Sequence, residues 1–399
     1  MTDTAGRPLG PGPGALATGD GLARRRRRRW VRGSALGAAG LLVAAAGAGW
    51  AVYAKLNGNI TADEAAAAEL TRYERERPTA LVRGALNILV IGSDTRSGEG
   101  NDAYGRDHGT ERSDTTILLH LAADRTSATA VSLPRDLMVD IPGCLRADGS
   151  RGEPVFAMFN HAFQVGGSAC TIRTVEKLTD IRVDHHMVAD FSGFKEMVDA
   201  VDGVEVCLKE PVDDKAAKLR LPAGRVTLDG EQALGYVRMR KSLGDGSDTE
   251  RMERQQRFLG ALFDKVRGED VLLHPAKLYP LLDAATSALT TDPELASLRG
   301  LYQLVRGLRD IPTGRVQFLT VPRKSYVYDA NRDQLVEPEA EKLFARLRAD
   351  EPVAVSEDRA PAPDHSQEIP RKSAGKGGGK TTSPTPTFSG NTAAEHGCE

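Results

Sequence analysis

Apolar residues recur along this chain in three rhythms. The first is a charge-free run, SALGAAGLLVAAAGAGWAVYA, at residues 34–54. At about 1.5 Å per residue a helix of that length spans roughly 31 Å, close to the ~30 Å hydrocarbon thickness of a bilayer. The second is a set of short, continuous apolar runs: NILVIG at 87–92, TTILLHLA at 115–122, ATAVSL at 128–133, HHMVAD at 185–190, VEVCL at 204–208 and VQFLTVP at 316–322. Runs this short predict strands buried on both faces. The turn ADRTS should return the third run antiparallel to the second.

The third rhythm is helical. It covers HAFQVGG, TIRTVEKLTDI, SGFKEMVDAV with Ser192 as its cap, and LDGEQALGYV capped by Asp229. A long helix should end near Arg267, with others over 293–308 and 338–347. Strands and helices alternate without strict βαβ regularity. The fold class is therefore α/β, a mixed central sheet sandwiched by helices and preceded by one transmembrane helix.

This patterning divides the 399 residues into a disordered basic cytoplasmic segment (1–33), a transmembrane helix (34–54), an extracytoplasmic stalk (55–84), a globular body (85–355) and a disordered tail (356–399). Arg24 to Arg29 precede the apolar span, and such charge stays on the cytoplasmic side. A cleaved signal peptide, with Ala46 to Ala48 as the cleavage site, is the alternative; the span exceeds a usual signal core and favours a retained anchor. The formal net charge of -2 argues against nucleic acid as a partner. Of the four cysteines, Cys144 and Cys170 sit in loop-like sequence and form the candidate disulfide. Cys207, inside VEVCL, reads as a buried free thiol, and Cys398 belongs to the tail.

Charge changes the picture at the strand ends. The first strand of the body exits into Ser93, Asp94 and Arg96, and the second is entered through Arg112 and Asp114. The third exits into Pro134, Arg135 and Asp136. Antiparallel pairing would bring all three ends to one edge. Each position alone is an ordinary turn residue or surface pair worth under about 1 kcal/mol. Repeated at three ends, they suggest an anion site in which two carboxylates share a cation such as Mg²⁺.

The stretch GYVRMRKSLGDGSDTERMERQQR, residues 235–257, adds guanidiniums. With Asp248 placed at 0°, Met252, Leu259, Leu262, Phe263, Val266 and Gln255 fall within about 60° of it, and Arg251 at the margin. Arg254 lies near the boundary, whereas Glu250, Glu253 and Arg257 point away. Ser247 and Glu250 make a capping box that leaves Asp248 available. Arg238 and Arg240, two apart, share a face if that segment is extended. Inward-facing arginines call for an anion, and phosphate matches their geometry. His120, His161, His185 and His186 fall inside strand or helix segments and read as structural.

NILVIGSDTR, RSDTTILLHL, VSLPRD, FNHAFQVGG, LDGEQALGYVRMR and DTERMERQQ, in this order behind one apolar span, closely resemble the LytR-CpsA-Psr family. The resemblance covers residues 87–267. It implies an α/β/α sandwich enclosing a long apolar pocket for a lipid. It also implies an extracytoplasmic, membrane-bound phosphotransferase. Such an enzyme moves a glycopolymer from a polyprenyl-pyrophosphate carrier onto peptidoglycan through a phosphodiester.

Carried over by motif, Asp94 and Asp114 would bind Mg²⁺. Arg112, Arg135, Arg238 and Arg240 would hold the pyrophosphate, supported by Arg251 and Gln255 with Arg96 nearby, and Asp248 would orient the site or take a proton. Family members commonly carry Lys two residues before the Asn of the Asn-x-Ala-x-x-x-Gly-Gly motif, where this chain has Met158. Two other readings use the same residues: hydrolysis of the carrier pyrophosphate, and a non-catalytic envelope-binding module.

Overall fold

A computed structural model describes residues 19–93, 113–146, 148–215, 217–239, 248–268, 275–356 and 386–395. The chain forms two units, 1–55 and 56–399. Most of the first is helix α1 (Gly19–Asn59), whose part from Trp30 is long and apolar enough to cross a membrane. Leu36, Leu41, Leu42 and Val43 of its apolar run are exposed. Residues 19–33, expected to be disordered, continue this helix instead. Arginine is a good helix former, so an apolar helix can propagate backwards through the Arg run.

In the second unit β1 (Thr61–Ala62) and α2 (Glu64–Arg72) come first, within residues 55–84. Then follow β2 (Leu86–Ser93), β3 (Ser113–Leu121), β4 (Ala128–Leu133), β5 (Met138–Ile141) and β6 (Val155–Met158). The middle holds α3 (Asn160–Thr179), β7 (His185–Ala189), α4 (Phe191–Ala200), β8 (Val204–Leu208), β9 (Val212–Asp214), β10 (Leu219–Leu221), β11 (Gly224–Leu228), α5 (Gly230–Arg238) and α6 (Asp248–Arg267). The last part has α7 (Pro275–Ala288), β12 (Leu289–Thr291), α8 (Leu298–Arg309), β13 (Val316–Thr320), β14 (Arg323–Tyr326), β15 (Asp329–Leu335), α9 (Glu339–Arg348), β16 (Ala354–Ser356) and β17 (Thr387–Thr392).

Among the described residues, nine strands make the central sheet in the order β1-β12-β7-β2-β3-β4-β13-β17-β16. β2 and β3 are antiparallel, as are β3 and β4, whereas β7 runs parallel to β2 and β13 parallel to β4. Alternate residues of the buried runs feed opposite faces. Leu89, Ile91, Leu118 and Val131 pack with α3 and α9 residues such as Ile172, Val175 and Phe344. Ile88, Ile117, Ala130 and Phe318 pack on the other face with Leu259 and Phe263 of α6 and Leu304 of α8. This is the expected helix-covered mixed sheet. A third apolar cluster joins Val206 and Leu208 of β8, Tyr236 of α5, Phe258 of α6 and Leu281 of α7.

Three local expectations change. The cap of α4 is Asp190, whose carboxylate accepts from the Gly193 N–H at 2.8 Å, in place of Ser192. Cys207 is half-buried and disulfide-bonded, so it is not a free thiol. Residues 387–392, expected in a disordered tail, form a strand inside the central sheet. Asp229 does cap α5, in a full capping box with Gln232.

The Cys144–Cys170 disulfide is present, with Cα atoms 5.6 Å apart. It explains the paired glycines of FNHAFQVGG. A Cβ on Gly166 would lie 2.7 Å from the Leu145 carbonyl and 2.9 Å from the Cys170 Cβ, and Gly167 has φ +59°. Helix α3 kinks at these two residues so that the disulfide-bearing loop can seat against it.

Candidate functional site

The strand ends meet as the sequence suggests. Ser93, the last residue of β2, is the register partner of Ser113, the first of β3. Both serines are 1% exposed. The register skips one residue here: Gly92 faces Thr115 and Ser93 faces Ser113, so Asp114 is the extra residue of a bulge. Bulges redirect side chains and recur beside active sites. β4 ends at the same edge, Leu133 opposite Thr116, and leads into Pro134 and Arg135. β7 ends there too, Ala189 beside Gly92, and leads into Phe191. β13 finishes beside them, with Thr320 next to Ser132.

Arg135 is half-buried and its Nε donates to Asp136 at 3.3 Å. Its carbonyl accepts from the Asn160 N–H at 3.0 Å, which fixes the start of α3 at this edge. Met158 lies two residues earlier, paired with Met138 across the β5–β6 hairpin. Arg238, at the end of α5, stacks its guanidinium over the Phe191 ring at 4.5 Å. Such an aromatic face stabilises the cation without neutralising it.

Helix α6 is described from Asp248 onward. Arg251 and Arg254 are buried, and Arg257 is exposed. Arg254 Nη2 donates to the Met239 carbonyl, and Gln255 Nε2 donates to the Val237 carbonyl at 3.1 Å. These two bonds grip the backbone on either side of Arg238. Gln255 therefore positions an arginine segment, and this bond spends one of its amide donors on backbone. Burial lowers the Arg254 pKa, opposed by the nearby Tyr236 and Glu250. A guanidinium keeps its proton even so, and an anion beside it would offset the desolvation.

Gln256 escaped sequence reasoning. It is 2% exposed and donates to Ser132 Oγ at 3.1 Å and Thr320 Oγ1 at 3.0 Å, tying α6 to two strand ends of the same edge. Its position about 80° round the helix from Asp248, just outside the apolar stripe, was the available signal.

Asp94, Arg96, Arg112 and Arg240 lie outside the described residues, and of Asp114 and Asp248 only the backbone is described. The described members, Arg135, Arg238, Arg251 and Gln255, belong to segments at or bonded to this one edge. Two of the histidines lie at the other end of the sheet: His120 bonds Asn87 at 2.8 Å and Asp350 at 3.0 Å, and His186 bonds Asp63 at 3.1 Å. His161 bonds Gln164 at 3.1 Å, one turn along α3.

A sequence model of the LytR_cpsA_psr family matches residues 53–349. The cell wall biosynthesis protein LcpA of Corynebacterium glutamicum is 34% identical over 268 residues, 60% of this chain and 50% of that protein. The chain thus spans half the length of this relative. The polyisoprenyl-teichoic acid–peptidoglycan teichoic acid transferase TagT of Bacillus subtilis is 29% identical over 330 residues, 80% of this chain and 95% of TagT. A solved structure described as TagT bound to LI-WTA superposes with a TM-score of 0.51 at 25% identity, covering 69% of this chain and 96% of that one. Motif order, sheet topology and a family match across most of its length agree: this chain belongs to the LytR_cpsA_psr family.

Proposed function

We propose that this protein is an extracytoplasmic transferase that moves a glycopolymer from a polyprenyl-pyrophosphate carrier onto peptidoglycan. The observation that carries this reading is the gathering of Ser93, Ser113, Arg135 and the Arg238 segment at one end of β2, β3, β4 and β7. The naming of TagT as a transferase of teichoic acid to peptidoglycan supports the same reading. Helix α1 would anchor the chain in the membrane, with the Arg24 to Arg29 side cytoplasmic.

In this mechanism Arg238 and Arg135 hold the non-bridging oxygens of the pyrophosphate, and Arg251 and Arg254 raise the local positive potential. A sugar hydroxyl of peptidoglycan attacks the glycan-bearing phosphorus in line. The new phosphodiester forms as the bond to polyprenyl phosphate breaks. Asp248, the first residue of α6, is the group we assign to orient the hydroxyl or accept its proton. Asp94 and Asp114 would hold Mg²⁺. The donor set fits, because each carboxylate belongs to the residue directly following one member of the Ser93–Ser113 register pair. When bound, the ion would neutralise charge on the transferring phosphoryl group.

Incubating the full chain with a polyprenyl-pyrophosphate glycan, Mg²⁺ and peptidoglycan oligomers tests this reading. Glycan covalently attached to peptidoglycan is the expected product. Release of free glycan phosphate without attachment would indicate hydrolysis instead, and recovery of unchanged bound lipid would indicate a binding module.

A further inference from the structure

Helix α8 reads LRGLYQLVRGLR and differs from an ordinary surface helix in two ways. It carries three arginines and no acid, and it leaves Tyr302 64% and Val305 52% exposed. Leu304 and Leu308 pack inward on the cluster that holds Phe318 and Leu259. Arg299, Tyr302, Gln303, Val305, Arg306 and Arg309 are all exposed, and helix geometry gathers them in one arc of about 160°. Arg125 adds to this charge, since a Cβ on Gly307 would lie 3.4 Å from its Nε; the acids flanking the helix are Glu294 and Asp310. By contrast, α9 mixes Glu339 and Glu341 with Lys342, Arg346 and Arg348, and it buries Leu343, Phe344 and Leu347.

The start of α8 is tied to the last turn of α1. The Leu298 N–H donates to Asn57 Oδ1 at 3.1 Å, and Asn59 Nδ2 donates to Asp283 Oδ1 of α7 at 2.8 Å. Leu56 and Ile60 beside them are buried in the body. The charge-free run of α1 ends at Ala54, three residues before Asn57. Three helical residues rise about 4.5 Å, less than the interfacial layer of roughly 5–8 Å that flanks the hydrocarbon core on each side. With α1 in the membrane, α8 therefore starts where the emerging chain is still among headgroups.

We propose that the exposed face of α8 lies on the anionic phospholipid surface of the membrane that α1 crosses. The inference rests on the reading of α1 as a retained anchor. The guanidiniums donate to lipid phosphates, while Tyr302 and Val305 enter the boundary between headgroups and acyl chains, as basic amphipathic helices do. Tyrosine suits that depth because one end of its ring is apolar and the other hydrogen-bonds. The contact gives the body a second attachment beside α1 and restricts its tumbling about the anchor. A second copy of the chain fits this face less well: an isologous contact would set these arginines against their own copies with no acid of the helix to meet them.

Quenching of a single tryptophan in the full chain tests this. The chain has two tryptophans, Trp30 and Trp50, both in α1. Trp30→Phe and Trp50→Phe remove them. Tyr302→Trp or Tyr328→Trp then places one reporter on α8 or on the β14–β15 hairpin, where Tyr328 is 84% exposed. The vesicles contain phosphatidylcholine and phosphatidylglycerol, with lipid brominated near the top of its acyl chains. An interfacial helix sits about 5–10 Å deep, so the reporter at 302 should dim at least about twofold while the one at 328 is unchanged. Arg299→Glu, Arg306→Glu and Arg309→Glu together should abolish the quenching at 302 and leave the unfolding midpoint unchanged. Flotation with the vesicles reports α1 separately. A chain that floats yet shows no quenching at 302, equal quenching at both positions, or quenching indifferent to the three substitutions overturns the proposal and leaves the anchor standing. Cross-linking of two copies through this face does the same. A chain that does not float overturns the anchor reading and this proposal with it.

Discussion

The two ends of the central sheet both carry buried charge, but they use it differently. At the end where β2 begins and β7 begins, each charge described here meets a counter-group. His120 lies between Asn87 and Asp350, and His185 bonds Asp292 at 3.2 Å. His186 and Ser168 bond Asp63, and Arg77 forms a 2.8 Å ion pair with Glu176. At the opposite end Arg254 is held by a backbone carbonyl and Arg238 by an aromatic face. A carbonyl or a ring fixes a guanidinium's position without itself adding a formal negative charge. Arg135, at this same end, pairs with Asp136 at 3.3 Å, so neutral anchors belong to the Arg238 and Arg254 segments, whereas acid–base pairs dominate the end where β2 begins.

The contrast breaks first at Glu176, which is 4% exposed and also accepts from the Val183 N–H at 3.0 Å. Glu176→Ala leaves the half-buried Arg77 with the Val183 carbonyl and the exposed Glu74 and should cost about 3 kcal/mol in denaturant unfolding. Transfer per folded molecule should stay near wild type. Arg238→Ala should do the reverse. We expect a roughly 10²- to 10³-fold loss of transfer, by analogy with other charge-stabilising donors, and an unchanged unfolding midpoint. Equal effects of both variants on stability and rate would erase the distinction between the two ends.

A smaller effect belongs to Asp63. Burial alone would raise its carboxyl, but hydrogen bonds from His186, Ser168 and the Ala66 N–H bring it down to about 2 from the ordinary 3.8. A depressed folded pKa means this stability is fully present above pH 3.8 and is lost as pH falls through about 2. The contribution is about 2 kcal/mol. Asp63→Asn should flatten the acid limb of stability between those values, measured by unfolding at stepped pH.

How much of this was legible depended on how local the governing forces are. The β2–β3–β4 edge could be read because three buried runs and one short turn dictate antiparallel pairing. The stripe of α6 could be read from helix geometry, which placed Arg251 inside and Arg257 outside. Ser192 lost the capping role to Asp190 within two residues, where either side chain could serve. The placement of β13 beside β4, and of β17 beyond it, required contacts across long stretches of chain. TFSGNT has few apolar residues, and only its seat against Phe318 and Leu319 makes it a strand. α7 was missed because its Pro280 reads as a breaker.

The central claim is that carboxylates and guanidiniums from separate strand ends act as one phosphoryl-transfer site. The most direct measurement is the transfer rate, per folded molecule, of the Asp94→Ala, Asp114→Ala double variant with saturating Mg²⁺. Transfer should fall at least about 10²-fold, with unfolding unchanged. A rate within twofold of wild type would contradict the account.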